Sequence, residues 1–348
     1  MIDLLVAGGG PAGLATALLA ARAGLEVEVW EPRPGAVDKA CGEGLMPGAL
    51  RALQDLGLDP AGQDLTGIRY LAGSRRAQAA FRAGPGRGVR RTVLHAALRE
   101  GAVAAGVRVV PRAAGVVRQD DAAVHLDGVA ARYLVAADGL HSPVRRQLGL
   151  DAGTGRLRRF GQRRHFALAP WTSFVEVHWA PTAEAYVTPV AADRVGVAVL
   201  SGRRGTYEEQ LAAFPQLRER LAGGEPAGPV RGAGPLRRRV RARTAGRVLL
   251  VGDAAGYVDA LTGEGVALAL AQASAAVTAL RDGVPQRYEQ DWRRLTRRYR
   301  WLTAGLVQAT RVPVVRRGLV PTAERVPVAF ASAVNALAGP AQAGHCSG

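Results

Sequence analysis

Cysteine and methionine are nearly missing from this chain: of 348 residues only Cys41 and Cys346 are cysteine, and only Met1 and Met46 are methionine. Two cysteines cannot build a disulfide framework, which excludes a small secreted scaffold and suits a reducing, cytoplasmic setting. Lysine and asparagine occur once each, as Lys39 and Asn335, so all other members of the 46 basic residues are arginine. With alanine and glycine also abundant, this profile is that of codons biased by a GC-rich genome. The formal net charge of +17 therefore speaks to non-specific attraction and not to fold or chemistry. A nucleic-acid platform would cluster basic residues on one face with aromatics between them. The runs Arg237–Arg239 and Arg293–Arg298 fall instead in a linker and on a solvated helix, so no specific nucleic-acid partner is expected.

Other absences narrow the classes further. No apolar run reaches the roughly 18–20 residues needed to cross a bilayer. Met1–Ala7 runs straight into a strand without a basic leader, so a secretory signal is not expected. The six histidines (His95, His125, His141, His165, His178, His345) lie on separate elements without ligand spacing, and no metal site is expected. No G-x-S-x-G elbow supports a hydrolase. What remains is an ordinary globular composition, 48% hydrophobic, long enough for two intimately joined domains.

The first thirty residues are the most legible. Ile2–Ala7 is a short apolar run fit for a strand buried on both faces. Gly8-Gly9-Gly10-Pro11-Ala12-Gly13 follows, then an alanine-rich helix over Leu14–Ala23, then an alternating strand over Glu26–Trp30 that ends at Glu31. This is βαβ order with G-x-G-x-x-G at its first turn and an acid 18 residues beyond the third glycine, the pattern of a dinucleotide-binding unit. Gly8 permits the tight turn, Gly10 lets backbone approach a pyrophosphate, and Gly13 lets helix and strand pack closely. The helix N-terminus, opened by Pro11 and Ala12, offers free N–H groups and partial positive charge. Glu31 is placed to accept hydrogen bonds from a ribose. An acid there favours an unphosphorylated adenosine ribose, hence FAD or NAD over NADP.

Two distant segments narrow the choice. Tyr133–Ala137 reads as a strand running into Asp138-Gly139-Leu140-His141-Ser142-Pro143-Val144-Arg145, with Ser142 placed to cap a short helix. Arg247–Val251 ends in Gly252-Asp253-Ala254-Ala255-Gly256, and Leu261-Thr262-Gly263-Glu264-Gly265 leads into an alanine-rich helix from Val266 to about Leu280. With the first loop, these segments resemble, in order, the three fingerprints of the flavoprotein monooxygenases of the para-hydroxybenzoate hydroxylase type, over residues 2 to about 280. The resemblance implies an α/β fold: a Rossmann-like FAD-binding domain (GR2 type) from 1–72, 88–150 and 236–284, an inserted antiparallel-sheet substrate domain from 73–87 and 151–235, and C-terminal helices over 285–348. It implies FAD as cofactor, held by Gly8, Gly10, Pro11, Ala12, Gly13, Glu31, Arg33, Lys39 and Asp138. Asp253 would meet the ribityl chain, and Gly263, Glu264 and Gly265 would face the pyrimidine edge, where a helix N-terminus stabilises negative charge on a reduced flavin. Arg91 starts a helix where this family keeps an FAD-contacting Arg or Gln.

The rest of the chain reads more coarsely. Arg164–Leu200 alternates as an antiparallel sheet does, Phe81–Gly88 is expected to add a turn and an edge, and Gly223–Pro235 is a Gly/Pro-rich connection. From Asp282 the chain is helical, broken at Pro313, Pro321, Pro327 and Pro340, and the apolar tail Arg325–Gly339 is expected to pack on the core.

The sharpest local feature is Lys39-Ala40-Cys41-Gly42-Glu43-Gly44-Leu45-Met46-Pro47. It resembles the Lys-x-Cys-Gly-x-Gly-Leu stretch of the geranylgeranyl reductase branch of the same superfamily. Gly42 and Gly44 would let backbone approach the flavin, and Lys39 would pair with a phosphate, Glu31 or Glu43. Cys41 is a candidate catalytic residue, as a proton donor beside the flavin; the alternative is a small buried hydrophobe. Gly256 and Ala260 depart from the hydroxylase pattern, while that branch's Tyr-x-Trp-x-Phe-Pro stretch shrinks here to Tyr186-Val187-Thr188-Pro189-Val190. The first expectation is an NAD(P)H-dependent monooxygenase that puts one oxygen of O₂ into an aromatic or unsaturated lipophilic small molecule, in secondary metabolism. The second is a flavin-dependent C=C reductase. A flavin halogenase is a weaker reading, because the Trp-x-Trp-x-Ile-Pro stretch is missing. A non-catalytic FAD protein that binds a lipid or a partner is a further one, with peripheral contact on the inner membrane face. No second Rossmann fingerprint is present, so NADPH or NADH is expected to visit only transiently as reductant.

Overall fold

The computed structural model describes residues 1–155 and 158–339; Pro340, His345 and Cys346 lie outside the described residues. The apolar run Ile2–Ala7 lies inside the first sheet, paired in parallel with Val129–Ala136 on one side and Val27–Trp30 on the other. Val248–Leu250 and Arg108–Val110 extend the sheet outward, also in parallel. Leu4, Leu5 and Val6 are fully buried, as a strand covered on both faces requires. Helix α1 (Pro11–Arg22) follows the glycine turn, and α2 (Pro47–Asp55) and α3 (Arg91–Ala104) come later. The short α4 (Pro143–Gln147) begins where Ser142 accepts the Arg145 N–H at 2.9 Å, the cap expected of it.

The alternating segment becomes four strands, Phe160–Ala167, Phe174–Trp179, Ala183–Ala191 and Arg194–Ser201, joined by antiparallel pairs. Against them α5 (Tyr207–Leu211) and α6 (Pro215–Leu221) bury Tyr207, Leu217 and Leu221. Two details differ from the expected layout. Gly67–Ala72 pairs with Phe174–Trp179 in parallel and then turns back as Arg75–Ala80, so the sheet is mixed and the expected boundary between 72 and 73 cuts through one hairpin. A strand delivered from a distant part of the chain is free of the hairpin geometry that enforces antiparallel pairing. Gly86–Gly88, expected at an edge of this sheet, is instead the middle strand of a separate small sheet, between Gly44–Leu45 and Gln63–Leu65. Only glycine fits at its end: a Cβ on Gly88 would come 1.7 Å from the Pro189 carbonyl oxygen.

Helix α7 (Gly265–Arg281) packs on α1, and α8 (Arg287–Ala309) on α7. Pro321 does not break the chain as expected but sits inside α9 (Pro313–Arg325). It forfeits one intrahelical bond, and the neighbouring Val320 is fully buried against Val177 and Trp179, which holds the helix in place. Helix α10 (Pro327–Ala338) lays Phe330 and Val334 on Ala77 and Ala79. No helix among the described residues is long and apolar enough to cross a membrane.

Candidate active site

A cavity of about 270 Å³ brings the separate sequence segments together. Gly10, Pro11 and Ala12 line it from the first turn, Arg91 from the start of α3, Lys39 and Cys41 from the loop after the second strand, and Asp253, Gly263 and Gly265 from the last fingerprint. The second sheet supplies Tyr70, Val175, Val177, Tyr186 and Thr188, and α10 adds Val334, Leu337 and Ala338. One part of the wall is therefore polar and glycine-rich, while the part made by the second sheet and α10 is largely apolar.

The remaining expected residues lie behind this lining. Gly8 (φ 105°) makes the turn, and a Cβ on Gly13 would come 1.9 Å from the Gly8 carbonyl oxygen, so both shape the cradle without facing the cavity. The buried Glu31 carboxylate accepts the Gly9 N–H at 2.9 Å and the Arg33 Nε at 2.8 Å. Burial works to raise its pKa, but the bonds from Arg33 and Gly9 outweigh it and hold the group below the ordinary value. Arg33 is thus tied to Glu31. Asp138 accepts the Val144 N–H at 3.1 Å through Oδ2, and its Oδ1 is buried without a partner; burial raises its pKa. Glu264 stands at the N-terminus of α7 with Oε2 buried and unpartnered, and burial pushes its pKa up to about 7.

These features fit FAD. No side chain caps the N-terminus of α1, so its N–H groups are free to meet a diphosphate at the cavity wall. An Arg91 guanidinium nitrogen would lie 4.0 Å from a Cβ built on Gly10, which sets a cation beside the same cradle. Burial lowers the Arg91 pKa, and the nearby Cys41 and Asp253 oppose that shift. An anion at the cradle would favour the charged guanidinium further.

Lys39 does not meet Glu31 or Glu43. Its Nζ lies 3.7 Å from Asp253 Oδ2, because the loop carries it across to the turn after the last strand. Cys41 borders the cavity, and burial pushes its thiol above the ordinary cysteine value. The loop is pinned by Thr188, whose hydroxyl donates to the Gly42 carbonyl at 2.8 Å.

Residues to which the sequence assigned no role of their own gather here. Glu43 is buried and accepts the Arg91 backbone N–H at 2.8 Å and His165 Nε2 at 2.6 Å. Tyr186 donates to the Leu261 carbonyl at 3.0 Å. His165 is only one polar position in an alternating strand, and Glu43, although inside the Lys39–Pro47 stretch, gives only the signal of a carboxylate between two glycines.

Residues 1–284 match the FAD binding domain family. The chain belongs to that family and is an FAD-dependent oxidoreductase. The oxidoreductase is 30% identical over 297 residues to the menaquinone reductase of Mycobacterium tuberculosis, covering 76% of this chain and 72% of that protein. It is 26% identical over 329 residues to the digeranylgeranylglycerophospholipid reductase of Methanosarcina acetivorans, covering 84% and 81%. A flavin-dependent brominase superposes with a TM-score of 0.81 over 97% of this oxidoreductase and 93% of that chain, at 18% identity. A likeness that distant in sequence shows the fold, on which several flavin chemistries are built.

Proposed function

We propose that this oxidoreductase reduces a carbon–carbon double bond in a lipophilic substrate of the polyprenyl class, with NADH or NADPH as transient electron source. The observation that carries the reading is the Cys41 thiol at the wall of a cavity whose second-sheet side is apolar, with burial keeping the thiol protonated. Menaquinone and digeranylgeranylglycerophospholipid, the substrates in the names of two relatives, both carry long unsaturated prenyl chains. This moves reduction ahead of the oxygen insertion that the three fingerprints alone bring to mind first.

Bound FAD would supply hydride-transfer chemistry to the double bond, with the pyridine nucleotide as the source of its electrons. The chain's own residues do the rest. Ile68, Val175, Val177 and Leu337 hold the apolar chain away from water. Cys41 delivers a proton from Sγ to the other carbon and takes one back from solvent before the next turnover. Arg91 and the N-terminus of α1 would hold the diphosphate, and the N-terminus of α7 would favour negative charge on the reduced cofactor.

The test is turnover under argon with a short prenyl alcohol and NADPH or NADH, followed by mass spectrometry. A product that has gained two hydrogens without oxygen supports reduction. Turnover that needs O₂ and adds one oxygen returns the protein to the monooxygenases.

A further inference from the structure

We propose that Glu43 is a positioning residue, whose carboxylate, locked by His165, sets the Cys41 thiol and the first residue of α3 against each other at the cavity wall. The catalytic half of this inference rests on the reading of Cys41 as proton donor; the structural half does not.

Four observations converge on that carboxylate. First, its side chain is 1% exposed and draws partners from two other elements. Oε1 takes the backbone N–H of Arg91 at 2.8 Å, where the N-terminus of α3 favours an anion. Oε2 takes His165 Nε2 at 2.6 Å, and Arg163 stands 3.7 Å from Oε1. Second, the histidine has one usable orientation. Arg163 Nη1 lies 3.1 Å from His165 Nδ1 and can only donate, so Nδ1 accepts and the ring proton sits on Nε2, aimed at Glu43. Third, the neighbouring strand makes room: a Cβ on Gly196 would come 2.8 Å from Glu43 Oε2. Fourth, Glu43 adopts φ 58°, a left-handed conformation that is strained for a residue with a side chain and persists only where surroundings enforce it. In that conformation its own N–H donates to Cys41 Sγ at 3.4 Å, and its carbonyl accepts the Val89 N–H at 2.8 Å.

The carboxylate also balances charge around the thiol. Arg91 from α3, Arg163 from the strand Phe160–Ala167, Tyr257 from the turn after Gly256 and Glu43 from the thiol's own loop surround Cys41. Burial raises the thiol, the two guanidinium groups pull it down, and Glu43 pushes it up. Without the Glu43 charge, two cations face the sulfur unopposed and the thiolate gains.

Two variants separate charge from reach, each in a Cys346→Ser background so that Cys41 is the one thiol. Glu43→Gln keeps the size and removes the charge. The pH midpoint of Cys41 alkylation by iodoacetamide in the holoenzyme should fall by about one unit, raising the rate near neutral pH about tenfold. Glu43→Asp keeps the charge but is too short to hold both Arg91 and His165. Its alkylation midpoint should stay near that of the parent while kcat falls about tenfold at unchanged KM. An alkylation profile in Glu43→Gln that overlays the parent's overturns the proposal. If that variant fails to fold, an unchanged kcat in Glu43→Asp overturns it instead. Alkylation needs no substrate, so a shifted midpoint in an enzyme that reduces no prenyl compound upholds the placement of Glu43 and sinks the reductase reading alone.

Discussion

Lys39 and Asp253 meet with Nζ 3.7 Å from Oδ2, and this contact ties the loop after the second strand to the turn after the last strand of the first sheet. The two side chains are 37% and 39% exposed, so as an ion pair they contribute at most about 1 kcal/mol. Their value lies in where they stand. Both border the cavity, and Asp253 sits at a strand end over the crevice where such sheets take their ligands. Asp253→Ala should therefore leave thermal stability of the apoprotein within about 1 kcal/mol of the parent while the bound-flavin absorbance after gel filtration drops severalfold. Full flavin retention would remove Asp253 from the binding set.

Gly13 tests the cradle from behind. Any β-carbon there would be driven into the Gly8 carbonyl, 1.9 Å away, and that backbone group has no side-chain torsion by which to move out of the way. Gly13→Ala should cost at least the ~1–3 kcal/mol typical of overpacking, read as a lower urea midpoint, and should loosen FAD as the α1 N-terminus shifts. A midpoint equal to the parent's would show that helix and strand tolerate a wider gap than the geometry implies.

What was legible in the sequence was what one stretch of chain decides. The turn Gly8–Gly13, the strands beside it, the Ser142 cap and the entry to α7 each follow from residues a few positions apart, and each stands where its motif put it. What stayed hidden depends on contacts between distant segments. Nothing near Gly88 announces that it presses on Pro189, nothing near Ile68 says that its strand will run parallel to Phe174–Trp179, and Glu43 and His165 are far apart in the chain. Lys39 illustrates the same limit. A lone lysine in a glycine-rich loop has several acids within sequence reach, and only the fold selects Asp253.

Cys41→Ser separates chemistry from packing. Serine fills nearly the same volume but is a far weaker acid at that position. If the thiol provides the proton, kcat should fall by about 10²–10⁴-fold, the range of a lost general acid, with flavin content and the visible spectrum unchanged. A rate within a factor of two of the parent would return Cys41 to the role of a small buried side chain.

Asp259, next in the chain to the cavity-lining Ala260 and Leu261, should set a pH dependence of stability. It is 2% exposed. Burial pushes its carboxyl up, Arg159 at 3.5 Å pulls it down, Glu184 pushes it up again, and the net value is about 6 against an ordinary 3.8. Because the folded state holds this proton more tightly than the unfolded chain, stability falls as pH rises from about 4 to about 6. The cost is then complete at neutral pH, at about 3 kcal/mol. Asp259→Asn removes the charge but keeps an oxygen that can accept the Leu261 N–H, now at 3.2 Å. The variant should therefore gain on the parent steadily between pH 4 and 6 and keep a constant advantage above pH 7, measured by chemical denaturation at each pH. A difference between the two proteins that stays flat from pH 4 to 8 would mean that Arg159 compensates the buried charge in full.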